Sequence, residues 1–417
     1  MLLVAAIAVT AVIVSGSDFI LDSSVDNTKV IGSKVEKRAR VVDSATGEPI
    51  ARASVFDNKG NMIGVCSDQG ALPAVSRWLF PVTIRVVGYE NEVLDKMPDS
   101  DVKMREASLE LPEVTVGSKN HEVLHILAYV REYSTISVSY DTVALFREKL
   151  VDFMVPSKKV RRYAGWMRPR VLTSRSYYHF TNYEGLDSVS RRFPHHFSWS
   201  DWVGVAKPQS LPAALLGYEP TATDTLRGKY SPREIWKRRG ETVRVDVDML
   251  ADSVGKVWAP PLYNFIYNGV EFTRMNLQYL FADVSATEVR ADNLVRYSMS
   301  VQSKGRGEDQ DKIFRSNEPV YADTYAEVYV IDKEYVSVGE AKKREHIEFK
   351  SDEIDIMVPD DAPELPASIV ALVERGNNIN EEALRLDEDP DQSYVGRHIL
   401  NRKREKKIKK LLRAIFR

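Results

Sequence analysis

The chain is short of most features that mark a specialised class of protein. It holds one cysteine, Cys66, among 417 residues, which excludes intrachain disulfides and a cysteine-based zinc cluster. Its 58 Lys and Arg nearly balance 60 Asp and Glu, for a formal net charge of −2, so no overall charge draws it to nucleic acid. No internal repeat has a convincing period. The remaining composition, 43% hydrophobic and 28% charged, is that of a globular protein of two or three domains.

The longest apolar run stands at the N-terminus. Residues Met1–Val14 are apolar except for Thr10, which is too short for the roughly 20 residues that span a bilayer. The run has the length of the apolar centre of a secretory signal, and small residues follow it. We therefore predict a signal peptide over 1–17, a polar linker over 18–37, and an exported protein in the periplasm or at the outer membrane. The run lacks a preceding Lys or Arg, and a buried N-terminal strand or helix is the alternative.

Short apolar runs separated by turn residues occupy residues 38–117. Runs such as Ala53–Phe56 and Val82–Val87 are rich in β-branched residues, and clusters such as Asp68-Gln69-Gly70 separate them. This spacing is typical of a small antiparallel sandwich.

The same residues resemble a known family. The segments Thr46-Gly47-Glu48-Pro49, Ser67-Asp68-Gln69-Gly70 and Val87-Gly88-Tyr89-Glu90 are similar to marks of the carboxypeptidase regulatory-like (peptidase-associated) domain found in Bacteroidota cell-envelope proteins. Leu111–Val116 resembles the segment that closes such domains. The resemblance implies a transthyretin-like, Ig-like sandwich that is joined to other domains and has no activity of its own.

The rest of the chain predicts a mainly β fold with helical segments. Apolar spacing favours a helical connector over 118–160, whereas the alternation in Thr242–Asp248, Tyr321–Ile331 and His346–Val358 favours strands. We therefore expect a second β-rich α+β domain over 161–358, an acidic linker and helix over 359–396, and a basic amphipathic helical tail over 397–417.

One motif has metal-binding spacing. His121, Glu122 and His125 satisfy H-E-x-x-H, and on a helix the two imidazoles could share a zinc ion while Glu122 polarises its water. Glu148 stands near, but not at, the spacing of a third ligand. Two ordinary helix histidines are the favoured interpretation, with no cofactor, and a zinc peptidase with Glu122 as the catalytic residue is the alternative.

A stretch rich in aromatic and Arg residues offers candidate ligand-binding side chains. Such rings and guanidinium groups can stack on sugars and hold anionic groups, and the competing interpretation places the aromatics in a core with Arg stems at its rim. The candidates are Trp166, Tyr177, Tyr178, Trp199, Trp202, Arg168 and Arg175.

The basic tail Arg397–Arg417 holds ten Lys or Arg and one acid, Glu405. Such a helix either contacts an anionic membrane or packs on the protein. Pairs of acids such as Asp246 and Asp248 alternate along a strand and are expected on its solvated face.

The sequence thus favours a non-catalytic, exported envelope protein that binds or scaffolds a glycan or an envelope membrane protein, with no nucleic-acid partner. A third class, an assembly protein, would instead present a long uncovered strand edge.

Overall fold

The computed structural model describes residues 38–108, 114–116, 122–139, 141–157, 163–192, 209–217, 221–227, 233–250, 271–306, 319–347 and 355–379. All of these described residues belong to one compact unit. The predicted signal peptide, linker and basic tail lie outside the described residues. The described chain is mainly β with two α-helices, which confirms the predicted fold class.

Residues 38–108 form an N-terminal subdomain of two sheets around one core. A parallel pair joins β1 to β6, and an antiparallel sheet has the order β3-β2-β4-β5. Gly70 closes a turn with φ +74°, and a Cβ there would lie 2.5 Å from the carbonyl oxygen of Val41, so only glycine fits. The strands are β1 (Val41–Asp43), β2 (Ser54–Phe56), β3 (Met62–Val65), β4 (Val82–Arg85), β5 (Glu92–Leu94) and β6 (Val102–Met104).

The next strand, β7 (Val114–Val116), pairs outside this subdomain, although Leu111–Val116 resembles a segment that closes such domains. It pairs in parallel with a strand of a second sheet, where Val114 lies opposite Lys333. The boundary predicted at residue 117 therefore falls after the change of sheet.

The second sheet is large and antiparallel apart from β7. Its order is β11-β10-β9-β8-β19-β18-β16-β15-β14-β13, and a separate pair joins β12 to β17. The strands are β8 (Val123–Ser137), β9 (Asp141–Pro156), β10 (Trp166–Asn182), β11 (Asp187–Ser190), β12 (Gln209–Ser210), β13 (Ala222–Arg227), β14 (Arg233–Arg239), β15 (Thr242–Asp248), β16 (Glu271–Phe281), β17 (Glu288–Val289), β18 (Leu294–Arg306) and β19 (Pro319–Val336).

The order shows two meanders that meet at the centre of the sheet. The chain starts in the middle at β8, runs outward by hairpins to β11, reappears at the opposite edge as β13 and returns to β19 beside β8. The helical connector predicted over 118–160 is wrong, because 123–137 and 141–156 are strands of this sheet. The strands predicted in Thr242–Asp248 and Tyr321–Ile331 are confirmed as β15 and part of β19.

The two faces of the large sheet differ in chemistry. The core face carries an apolar cluster that includes Ile126, Phe153, Val245 and Met299. The docking face carries the alternate residues, among them Tyr133, Arg244, Asp246, Gln278 and Glu327, and receives the N-terminal subdomain and residues 355–379. Because both faces of β8 and β9 are buried, their sequences lack the two-residue alternation of a half-exposed strand.

Two helices pack at the margins of the sheet. Helix α1 (Val338–Glu345) follows β19 and is capped by Ser337, whose Oγ accepts a hydrogen bond from the Glu340 amide at 3.2 Å. Helix α2 (Ala367–Asn377) lies where the sequence predicts a helix after Pro366. The strand predicted over His346–Val358 is wrong in its described part, which has no strand at 346–347 or 355–358. No described helix has the length and apolarity to cross a membrane.

Candidate functional site

The H-E-x-x-H segment leads into a strand rather than a helix. Residue His125 is the third residue of β8, while His121 lies outside the described residues. Residues four apart are one turn apart on a helix but about 13 Å apart along an extended strand. The helix that would bring two imidazoles to one metal ion is therefore missing from 123 onward.

Both ring nitrogens of His125 have protein partners. Its Nε2 lies 3.1 Å from the Asp152 Oδ2, and the Arg344 Nη1 lies 3.1 Å from its Nδ1. Because a guanidinium only donates, Nδ1 accepts, and the imidazole proton sits on Nε2 and is donated to Asp152. This geometry fixes one tautomer of a neutral histidine.

Asp152 is the centre of a charged cluster. Arg170 donates to both of its oxygens, at 3.0 and 2.6 Å. Burial alone would raise the pKa of Asp152, but hydrogen bonds from His125 and Arg170 lower it below its ordinary value. Asp152 is therefore a carboxylate anion that orients two donors.

The same cluster holds α1 against the ends of β8, β9 and β10. Arg344 donates to Glu334 at 2.8 Å, and its carbonyl oxygen accepts from the Arg170 Nη1 at 2.6 Å. At the other end of α1, Glu122 Oε2 accepts from the Val338 amide at 3.0 Å. The motif residue Glu122 thus anchors the start of a helix.

Glu148, the alternative third ligand, is engaged elsewhere. It accepts a hydrogen bond from the Tyr129 hydroxyl on the docking face. Among the described residues, no group of three or more His, Cys, Asp or Glu side chains is arranged to hold a metal ion.

The candidate aromatic binding residues of β10 lie in the core. Tyr177 and Tyr178 are neighbours on one strand and face opposite sides of the sheet, and both are buried. Tyr177 donates to Asn377 Oδ1 at 3.0 Å and stacks on Phe146 with 6.3 Å between ring centroids. Neither ring is available for stacking on a sugar, so the core interpretation holds for both.

Of the remaining candidates, Arg175 is half-exposed on β10 and lies 3.8 Å from the Asp355 carboxylate. Trp166 and Arg168 belong to β10, but their side chains lie outside the described part of the chain. Trp199 and Trp202 also lie outside it.

The interface between the N-terminal subdomain and the docking face contains buried charges that the sequence did not reveal. Arg52 is buried, lies 2.8 Å from the Asp248 carboxylate, and donates to Asn276 Oδ1 at 3.3 Å. Arg52 lies in the turn before β2 and occupies the left-handed backbone region with φ 56°.

A second arginine crosses this interface. The Arg85 guanidinium lies 4.7 Å from the centroid of the Phe56 ring, 5.0 Å from that of Tyr133 and 3.9 Å from Glu327. Burial alone would lower the pKa of Arg85, but Tyr133 and Glu327 raise it. The guanidinium therefore remains charged between aromatic faces and a carboxylate.

The expectation that Asp246 lies on a solvated strand face is wrong. Asp246 is fully buried, and Arg244 donates to its Oδ2 at 2.8 Å. Gln278 donates to its Oδ1 at 2.8 Å, and Arg244 also reaches the carbonyl oxygen of Ala51 in the subdomain at 3.4 Å. Strand alternation predicts that Arg244 and Asp246 lie on the same face, but the burial of that face depends on the docked subdomain.

No family model matches the chain, and no curated protein matches it. One similar solved structure is described as "Lipid-protein interactions in lipovitellin", with 8% sequence identity and a TM-score of 0.27. The match covers 52% of this chain and 26% of that one, so the chain spans about a quarter of the length of that structure.

Proposed function

We propose that the chain is a non-catalytic, exported cell-envelope protein that binds or scaffolds a partner through a rigid β platform. The observation that carries this proposal is the charged interface between the N-terminal subdomain and the large sheet. Arg52, Arg85 and Arg244 each meet a specific acceptor across or beneath it. Such pairs fix one docking geometry, as a platform for a partner requires.

Two further observations support the proposal. The N-terminal subdomain places two sheets around one core, which suits the sandwich that its sequence resembles. The charged residues of the H-E-x-x-H segment orient α1 and the strand ends, as a structural network does. The partner classes that we propose are an envelope polysaccharide and an outer-membrane protein.

Cell fractionation tests the location. A chain with a C-terminal tag should be found in the envelope fraction with its N-terminus shortened near Ser15–Ser17. Full-length protein confined to the cytosol would overturn the proposal.

Binding and metal assays test the role. The purified protein should bind at least one member of a panel of envelope polysaccharides and outer-membrane proteins. It should contain no stoichiometric zinc, and Glu122→Gln should leave peptide hydrolysis at background. Stoichiometric zinc together with hydrolysis that Glu122→Gln abolishes would establish the peptidase alternative instead.

A further inference from the structure

Helix α1 makes separate contacts with the large sheet at its two ends. At its first turn, Glu122 Oε2 accepts a hydrogen bond from the Val338 amide at 3.0 Å. At its last turn, Arg344 Nη1 donates to Glu334 at 2.8 Å and lies 3.1 Å from His125 Nδ1. Of these two contacts, the second contains a histidine, so the two ends of α1 respond differently to mild acid.

The histidine and its carboxylate partner lie on paired strands, whereas the arginine lies on the helix. His125 lies opposite Met154, and Asp152 lies opposite Leu127, in the β8–β9 pair. Arg344 belongs to α1, which side chains hold against these strands. We name His125, Asp152 and Arg344 the His125 clasp. A change in the ring of His125 should therefore displace α1 before it displaces the strands.

A second proton on His125 reverses the role of one ring nitrogen. In the neutral ring, Nε2 donates to Asp152 and Nδ1 accepts from Arg344. Because Nε2 already carries a proton, the second one must attach to Nδ1. Nδ1 then becomes a donor that faces a guanidinium donor, and both groups are positively charged. The hydrogen bond to Arg344 is lost, while the hydrogen bond to Asp152 becomes an ion pair.

The charges around His125 come from four elements. They are Asp152 on β9, Arg170 on β10, Glu334 on β19, and Glu340 and Arg344 on α1. The carboxylates favour a charged ring and the guanidinium groups oppose it. Since Asp152 stays bonded to Nε2 in either state, the ring keeps an anionic partner when it takes up a proton.

We propose that the His125 clasp is a pH-sensitive switch that loosens the last turn of α1 when His125 takes up a proton. Histidine side chains ordinarily change charge between about pH 5 and 8. Arg170 still donates to the carbonyl oxygen of Arg344 at 2.6 Å, so acid loosens this turn without unfolding the helix. Loosening exposes the apolar residues that pack against Ala341, which are Val123, Met154, Tyr163 and Val336.

This switch goes beyond the proposed envelope function, which names no response to pH. It acts through contacts within the chain, so a cytosolic location of the protein would overturn that function and leave the switch standing.

Electron paramagnetic resonance of a spin label on α1 tests the switch in the full chain. Lys342 is exposed in the last turn, and Lys342→Cys provides one site for the label because the native Cys66 is buried. As the pH falls from about 7.5 to about 5.5, the mobile fraction of the label should rise about twofold or more.

Two substitutions remove the proton-dependent step. The side chain of His125→Gln offers one donor and one acceptor, as the neutral ring does, and takes up no proton. In Arg344→Gln, an amide oxygen accepts from the protonated Nδ1, so the two donors no longer face each other. In both variants the label should not become more mobile in acid. Either variant suffices if the other does not fold, which circular dichroism reports.

The matched control is His346→Gln, which removes the histidine at the end of α1. A proton on His346 adds positive charge at a helix C-terminus, which stabilises a helix. Its effect therefore has the opposite sign, and the control should keep the full response to acid.

Three outcomes would overturn the proposal: a label mobility that does not change with pH, a response that persists in His125→Gln, or a response that His346→Gln abolishes. The last of these would assign the response to the end of the helix instead of the clasp.

Discussion

The two faces of the large sheet are buried by different means. The core face excludes water chiefly with aliphatic and aromatic side chains, in a cluster that includes Ile126, Phe153 and Val245, although it also buries the ion pair between Lys149 and Glu132. The docking face is covered just as fully at Asp246, yet it carries arginines, carboxylates and tyrosine hydroxyls. Apolar burial stabilises without specifying a direction, whereas buried hydrogen-bonded charges accept one arrangement. The comparison indicates that the core face supplies most of the stability and the docking face fixes where the subdomain sits.

Removing a large core-face side chain should have the largest effect. Phe153→Ala should lower the free energy of unfolding by about 4 kcal/mol, because burial is lost and a cavity remains. Urea denaturation measures this change. The control Val171→Ala removes an apolar side chain that is 42% exposed and should stay within about 0.5 kcal/mol of wild type. Similar losses in both variants would contradict the expected contribution of buried apolar side chains to stability.

Removing one partner of a docking-face ion pair should lower the free energy of unfolding by slightly less than the core-face substitution does. Burial alone would lower the pKa of Arg244, but Asp246 raises it, so Arg244→Met leaves a buried carboxylate without its cation. We expect a loss of about 3 kcal/mol in the free energy of unfolding.

The double variant Arg244→Met/Asp246→Leu sharpens this test. It should recover stability to within about 1 kcal/mol of wild type, because no unpaired charge remains. The recovered protein should still place its subdomain less firmly, which faster proteolysis between residues 38 and 108 would report. A double variant that is as unstable as Arg244→Met would show that the pair itself stabilises the fold.

The buried charge of Lys333 on the core face should destabilise the protein, so its removal should raise the free energy of unfolding. Lys333 is buried there and donates to the carbonyl oxygen of Asp292 at 2.6 Å. Burial lowers the pKa of Lys333 to about 8, against the opposing effects of Asp292 and Asp283. Between that pH and the ordinary lysine pKa near 10.4, the folded state holds fewer protons than the unfolded state, so the contribution of this lysine to stability rises with pH.

Lys333→Met should therefore stabilise the protein by about 1 to 2 kcal/mol at pH 7, after the lost hydrogen bond is allowed for. The gain should shrink as the pH rises from 8 to 10. Measuring the difference between wild type and variant at each pH isolates this lysine from other groups that titrate there. A gain that does not change with pH would mean that packing, not charge, is responsible.

The sequence predicted the fold best where apolar and polar residues alternate along a strand, even though both faces of such a strand are covered. Thr242–Asp248 alternates, and it is β15. The sequence did not predict the strands β8 and β9. Buried residues lie on both faces of these strands, and residues such as Phe146 and Leu150 recur at a spacing that also fits a helix. The segments that bury a strand face come from distant parts of the chain, so no local sequence pattern predicts them.

The candidate site was predicted less well than the fold. The residues of H-E-x-x-H have metal-binding chemistry, but the backbone geometry that would converge them is absent from β8. The sequence did not predict the charged interface. Arg52 and Asp248 are 196 positions apart along the chain, and no sequence pattern connects residues at that separation.

The centre of the large sheet has a consequence for how the chain reaches its native state. The middle strands β8 and β19 are joined by pairs such as Ser134 and Thr324, which are 190 positions apart. Until β19 arrives, β8 keeps fifteen residues of open hydrogen-bonding edge, a template for pairing with other molecules. Folding should therefore be slow and prone to aggregation at that stage. A chaperone that covers the exposed edge of β8 should raise the yield of folded protein more than one that binds only unstructured segments.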